Sequence, residues 1–298
     1  MTMSFHQFAE AHGLIITTMM EGRWIRTRTA DKPKHRNGAY KYLGDVGFVQ
    51  NHATMTEVAT WRSDKPPTEA QRRFSDAQAR ALREREAKKR ITAIRQMREY
   101  WDRLPAFRGE HPYLVRKGLS MMGCKDLRID GDLLAIPLCS GPSLMSLQTI
   151  DPDGAKRYRY GCPIKGNSLL LARPRSVVTC LVEGFATGLA IYQSLPQASV
   201  IVCFDAGNMV NVAEKLKVRG MVVVCADNDW QTQNKIGVNT GLEKGRSAAA
   251  AIGCGMAYPE GIFGSDWADA LAEWKEAGPG RLRVEIMRHA KPVSIGAR

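Results

Sequence analysis

The sequence predicts an α/β protein, a parallel-rich sheet with helices on both faces, preceded by smaller modules. Three observations predict it. Over residues 176–290, short apolar runs alternate with stretches of helical length, the pattern of strands joined by crossover helices. Two of these runs end in acids: Glu183 follows 177–182, and Asp227-Asn228-Asp229 closes 221–226. A third acidic site, Asp266-Trp267-Ala268-Asp269, follows a later αβ element. Ligands of open parallel sheets bind beyond the carboxyl ends of the strands, so acids placed there can meet although distant in sequence. Such a cluster repels itself without cations, which points to Mg²⁺ or Mn²⁺ handling phosphate.

Bulk properties narrow the class. A chain of 298 residues makes one large domain or two to three small ones. Against 30 Asp and Glu stand 43 Lys and Arg, a net +13, which favours a polyanion, nucleic acid ahead of an anionic membrane surface. No apolar run approaches the roughly 20 residues of a membrane span, and residues 1–7 lack the build of a signal peptide. The expected location is the cytoplasm. The 7 cysteines form no Cys-x-x-Cys pair, so neither a zinc ribbon nor a disulfide framework is signalled and no zinc is expected. Cys180, Cys203 and Cys225 lie in apolar runs and read as small buried hydrophobes. No histidine has ligand spacing, and no phosphate-binding Gly-x-x-x-x-Gly-Lys-Ser/Thr loop signals a helicase motor.

Residues 1–64 read as a small β-rich module. A short helix is expected over 4–13, with strands near 23–28, 38–42, 46–49 and 57–61. Trp24, Tyr40, Tyr42, Phe48 and Trp61 interleave with basic residues there. They form either the module's core or a stacking surface for single-stranded bases. Lys65-Pro66-Pro67 marks a boundary, and Thr68-Glu69-Ala70-Gln71 has the form of a capping box. A long basic helix then fills 65–104, serving as a solvated spacer or a nucleic-acid arm. Residues 105–175 form an α+β subdomain, with strands at 133–138 and 144–150, an Asp151-Pro152-Asp153-Gly154 turn and a basic strand from Lys156 to Tyr160.

In the last domain, 176–290, strands are expected near 176–182, 199–204, 220–226, 255–258 and 281–286. Helices are expected near 185–194, 208–217, 239–252 and 266–276. Residues 291–298 read as a flexible tail. If 227–229 continues a strand, Asp227 and Asp229 face one way and reach one ion; otherwise they belong to a solvated turn. Asp266 and Asp269 share one face of a helix start, where Asp266 is alternatively an N-cap. Asp205 and Asn208 end another strand, with Asn208 a site residue or a helix cap. Thr187 is active-site support or a helix-surface hydroxyl.

Glu183-Gly184, Asp227-x-Asp229 and the further Asp pair resemble the Toprim domain of bacterial-type primases, topoisomerases and some nucleases. The upstream order Tyr113-Leu114-x-x-Lys117-Gly118, Leu133-Leu134-x-Ile136-Pro137-Leu138, Ser146-Leu147-Gln148-x-Ile150-Asp151, Lys156-Arg157 and Lys165-Gly166 is similar to primases of phages and conjugative plasmids. So is Phe204-Asp205-Ala206-Gly207-Asn208, and the front module with Gly38-Ala39-Tyr40 and Gly47-Phe48-Val49-Gln50-Asn51.

The resemblance implies primer synthesis from ribonucleoside triphosphates on single-stranded DNA, with a replicative helicase on a separate chain. It implies Glu183 as general base or metal ligand, and Asp227 and Asp229, with Asp266 and Asp269, as further metal ligands. Lys156, Arg157, Arg159 and Lys165 become phosphate grips, with Arg116 and Lys117 as weaker candidates. Two departures stand out. Toprim proteins often carry Asp where this chain has Thr187, and replicative primases begin with a zinc ribbon that is missing here. A Toprim nuclease and a non-catalytic single-stranded-DNA-binding protein are the alternatives.

Overall fold

The computed structural model describes residues 3–63, 69–120 and 126–294. Thr68 of the expected capping box, the 65–67 boundary and the end of the tail, 295–298, lie outside the described residues. The chain divides into two compact units, Met1–Lys89 and Arg90–Arg298. No helix among the described residues is long and apolar enough to cross a membrane.

The first unit begins with α1 (Phe5–Ala11), started by a capping box between Ser4 and Gln7. It continues through β1 (Leu14–Ile15), β2 (Ile25–Thr29), β3 (Gly38–Tyr42), β4 (Val46–Asn51) and β5 (Ala59–Arg62), which form an antiparallel sheet in sequence order. Helix α1 covers one face of this sheet: Phe5 and Ala9 pack with Leu14, Ile16, Tyr40 and Val49. A Cβ on Gly47 would lie 2.2 Å from the Phe5 ring, so glycine there seats the ring. The long helix α2 (Glu69–Arg103) crosses the boundary between units. Its exposed i,i+4 pairs, Arg73–Glu69 and Arg80–Glu84, add only a few tenths of a kcal/mol each. Its last turns are fixed in the second unit, where Met97 is buried, Arg98 Nε donates to the Leu144 carbonyl and Tyr100 hydrogen-bonds Asp130.

The second unit opens with α3 (Pro112–Arg116) and an antiparallel sheet of β6 (Arg128–Asp130), β7 (Leu133–Ser140), β8 (Ser143–Ile150) and β9 (Lys156–Tyr158), paired in that order. Then come β10 (Leu169–Leu171), β11 (Val178–Val182), α4 (Phe185–Ser194), β12 (Ala198–Val202), α5 (Ala206–Ala213) and β13 (Gly220–Cys225). The chain continues through α6 (Trp230–Ile236), α7 (Thr240–Ile252), β14 (Gly255–Ala257), α8 (Trp267–Trp274), α9 (Gly278–His289) and β15 (Lys291–Val293). The second sheet has the order β10-β12-β11-β13-β14, with β12, β11, β13 and β14 parallel. Antiparallel β10 closes one edge, and β15 pairs with the start of β13.

The expected α/β class holds, and the strand alternation shows why. Cys180 and Val182, Val200 and Val202, and Val223 and Cys225 enter one core with residues of α4, α8 and α9. Leu181, Ile201 and Val224 enter the other with residues of α5 and α7. Strands buried on both faces read as unbroken apolar runs. The first of these cores also takes Leu134, Ile136, Leu138 and Ile150 of the antiparallel sheet, so the two sheets of this unit share it.

Three expectations fail. Residues 281–286 are not a strand but part of α9, where Leu282 and Ile286 are fully buried and Val284 is 55% exposed. That is i,i+4 burial on one helix face, which a short alternating run imitates. The tail is not wholly flexible, since Lys291–Val293 forms β15. Residues 227–229 do not continue a strand: β13 stops at Cys225, and a loop leads into α6, for which no helix was expected.

Candidate active site at the switch point of the parallel sheet

From β11 the chain passes through α4 to β12 on one side; from β13 it passes through α6 and α7 to β14 on the other. The strand order therefore reverses between β11 and β13, which is where open α/β sheets form their ligand crevice. Val182 and Cys225 are in register across this pair. Glu183 follows one at once and Asp227 follows the other after Ala226, putting both carboxylates at the mouth of the crevice. Gly184 starts α4 directly behind Glu183. A Cβ on Gly188 would lie 2.6 Å from the Val202 methyl, so glycine lets α4 lie close on the sheet.

The electrostatics show which groups meet there. Burial, then the charges of Asp229 and Asp205, push the Glu183 carboxyl up to about 7. A hydrogen bond from the Ala206 N–H and the ammonium of Lys156 oppose the rise. Burial, then Glu183, Asp266 and Asp229, raise Asp227 well above the usual carboxylate range, again against Lys156. Thr187, in the position where resemblance suggests an acid, is 1% exposed, and its hydroxyl makes a long 3.4 Å contact to Asp227 Oδ1. It does not lie on the helix surface.

A polar frame holds the acidic loop. Asn239 Nδ2 donates to Asn228 Oδ1 at 2.9 Å, and Asn239 Oδ1 accepts from the N–H groups of Asp229 and Leu242. Asn228 Nδ2 donates to the Pro259 carbonyl, and Trp267 Nε1 donates to the Ala226 carbonyl. The Gly241 N–H donates to Asp229 Oδ2 at 3.0 Å, while a Cβ there would lie 2.3 Å from the Asp227 carbonyl oxygen. One turn on, a Cβ on Gly245 would lie 2.6 Å from the Ala226 methyl. The sequence reading missed Asn239, Gly241 and Gly245, although glycines at i and i+4 of a helix are a legible sign of close backbone approach.

Asp205 is the N-cap of α5: its side chain accepts from the Asn208 N–H at 2.7 Å. Asn208 is therefore inside the helix rather than its cap. Buried, it accepts from the Gly166 N–H at 2.6 Å and donates to the Asn167 and Cys203 carbonyls. It thus clips the Lys165-Gly166-Asn167 turn to the end of β12, leaving Lys165 exposed.

On β9, Lys156 and Tyr158 share a face and Arg157 takes the other. Tyr158, another residue the sequence reading passed over, donates to the Phe204 carbonyl at 2.8 Å. Burial, then the nearby Asp205, pushes its phenol up to about 12, with Glu183 contributing. Phe204 has φ of 74° and donates its N–H to the Glu183 carbonyl at 2.6 Å. Left-handed backbone is costly for a bulky residue and clusters at functional sites; here Tyr158 fastens the strained turn beside Glu183.

Other candidates are engaged elsewhere. Arg116 donates to the Pro152 carbonyl at 2.7 Å, and Arg159 stacks over the Tyr100 ring at 4.7 Å. Asp266 is the N-cap of α8, accepting from the Asp269 N–H. Lys117 Nζ lies 3.2 Å from Asp266 Oδ2 and 2.9 Å from Asp269 Oδ1. The ammonium takes the place that a divalent cation was expected to take between these two acids.

No group of three or more Asp, Glu, His or Cys among the described residues forms a preformed metal cage. Neither the five acids together nor Glu183, Asp227 and Asp229 alone therefore stand ready-made around one ion. The donor type at Glu183, Asp227 and Asp229 nonetheless fits Mg²⁺, which keeps several waters and takes one or two carboxylates together with substrate phosphates. Burial first, and neighbouring acids second, raise both Glu183 and Asp227.

Residues 178–275 match the Toprim domain. The matched stretch, about a third of the chain, spans β11 to β14 and α8 of the second unit. No curated protein matches the sequence. Among solved structures, the chain is similar to the primase fragment of the bacteriophage T7 primase-helicase protein, at 12% identity over 61% of this chain and 78% of that one, with a TM-score of 0.43. It is also similar to the RNA polymerase domain of Mycobacterium tuberculosis primase DnaG, at 13% identity over 72% and 77%, with a TM-score of 0.33.

Proposed function

We propose that this chain is a DNA primase, joining ribonucleoside triphosphates into short RNA primers on single-stranded DNA for phage or plasmid replication, beside a helicase on another chain. The observation that carries the reading is the pairing, at the switch point of a Toprim sheet, of charge-deficient acids with a basic strand. In primer synthesis a 3′-hydroxyl loses its proton and its oxygen attacks an α-phosphate in line, breaking the α–β phosphoanhydride bond and releasing pyrophosphate. Glu183, buried at the strand end beside Asp229 and Asp205, is placed either to take that proton directly or to hold the metal that activates the hydroxyl. Lys156, exposed on β9 and acting on both Glu183 and Asp227, grips nucleotide phosphate. Tyr158, through Phe204, fixes the backbone from which Glu183 acts. Glu183, Asp227 and Asp229 are the residues that would hold Mg²⁺ or Mn²⁺, which would stabilise charge on the attacking and leaving oxygens. Asp266, Asp269 and Lys117 brace the crevice wall.

The test is incubation with random single-stranded DNA templates, labelled ribonucleotides and Mg²⁺, followed by sequencing of the products. Short template-complementary RNA is expected. Template cleavage without nucleotides would instead favour a nuclease, and binding with no product of any kind would favour a coating protein.

A further inference from the structure

The structure divides the aromatics of the first unit between the two faces of its sheet. Tyr40, Tyr42 and Trp61 pack with Phe5 in the core. Trp24 and Phe48 do not. Phe48 alternates with Val49, so it lies on the opposite face of β4. Register places Phe48 beside Lys41, and Trp24 is one residue before Ile25, which pairs with Tyr40. Trp24, Lys41 and Phe48 therefore form one row across three strands, with the Trp24 and Phe48 rings 6.3 Å apart and tilted by 43°. Trp24 is 48% exposed, a large apolar area to leave in water on a small module.

Cations surround this row. Arg26 and Arg28 follow Trp24 at intervals of two along β2, on the same face and exposed. Lys41 and Arg23 line a cavity of about 570 Å³ whose far wall includes Arg83 and Arg85 of α2, with Glu21 its one acid. Arg23, Arg26, Arg28 and Lys41 have no ion-pair partner among the described residues. Unpaired cations around the exposed Trp24 ring and the half-buried Phe48 ring are complementary to a chain of phosphates carrying unstacked bases. They do not suit a duplex, whose base faces are hidden.

We infer that the outer face of the first unit's sheet is a single-stranded DNA-binding platform. Trp24 and Phe48 stack bases, and Arg26, Arg28 and Lys41 hold the backbone. The inference deepens the primase reading, since it gives the template strand a seat, but the binding is separable from the chemistry.

The experiment is fluorescence anisotropy of the full chain with a labelled oligo-dT strand and with a duplex of equal length, over a range of salt. Trp24→Ala and Phe48→Ala are each expected to weaken single-strand binding by about 5- to 100-fold, with Trp24→Tyr restoring most of it. Arg26→Glu with Lys41→Glu is expected to weaken binding and to lower the salt slope by about one per lost contact. If the alanine variants unfold, this surface charge reversal decides. Unchanged affinity in every folded variant, or equal affinity for the duplex, overturns the platform. Failure of Glu183→Gln to stop primer synthesis overturns the chemistry assigned to Glu183 and leaves the platform standing.

Discussion

Asp269 and Asp227 are both partly buried carboxylates of the same unit, yet one is a stronger acid than usual and the other a much weaker one. Burial pushes both up. At Asp269 the hydrogen bond and charge of Lys117, with the Ser265 N–H, outweigh it. Burial would likewise lower Lys117, but Asp266 and Asp269 outweigh it and hold the ammonium above its usual range. That cluster carries its own counter-charge. At Glu183 and Asp227 the strongest influences after burial are other acids, and the opposing cation, Lys156, is exposed to screening solvent. The first arrangement is a closed ion-pair network. The second is a site in want of a cation or a proton. Two acidic motifs that look alike in sequence therefore stand in opposite electrostatic settings.

The largest effect that tests this contrast is catalytic. Glu183→Gln and Asp227→Asn should each lower primer synthesis at least about 100-fold while single-strand affinity changes little; incorporation of labelled nucleotide and anisotropy read the two. Asp269→Asn should leave most activity intact.

Breaking the closed cluster should act on stability. The three side chains are 20–32% exposed, between the surface and buried limits. Lys117→Met should therefore cost roughly 1–3 kcal/mol in urea unfolding, and its effect on synthesis should follow the loss of folded protein.

Next is pH. The folded pKa of Glu183, about 7, lies above the ordinary value of 4.5, so the native state holds its proton where the unfolded chain has lost it. The stability this confers is complete below about pH 4.5 and is lost as pH rises to about 7. In metal-free buffer its size should be on the order of 1–3 kcal/mol after allowance for partial exposure. Glu183→Gln should flatten that part of the profile, and saturating Mg²⁺ should restore stability at the high-pH end.

A further cost in stability is expected at Gly245. Alanine there must displace both Ala226 and Met256, at 2.6 and 2.8 Å, with a cost of about 1–3 kcal/mol and a modest fall in synthesis through the shifted acidic loop.

Much of this contrast was hidden in the sequence, for physical reasons. The sheet was legible because strands buried on both faces leave unbroken apolar runs, and the acids at their ends were legible as a consequence. The partner of Asp266 was not, because Lys117 precedes it by 149 residues and meets it only through the fold. Tyr158 was passed over because a basic strand draws attention to its charges, whereas its phenol works through a backbone carbonyl. The α9 segment was misread because Leu282, Val284 and Ile286 alternate in period two while the i,i+4 spacing of Leu282 and Ile286 also fits a helix. Trp24 and Phe48 could not be separated from the core aromatics until strand register was known.

Mn²⁺ binding, followed by electron paramagnetic resonance near pH 7, tests most directly which acids hold the ion. Mn²⁺ uptake that is lost in Glu183→Gln and Asp227→Asn but kept in Asp266→Asn is the expected result. Uptake that survives both of the first two substitutions and disappears in the third would contradict it.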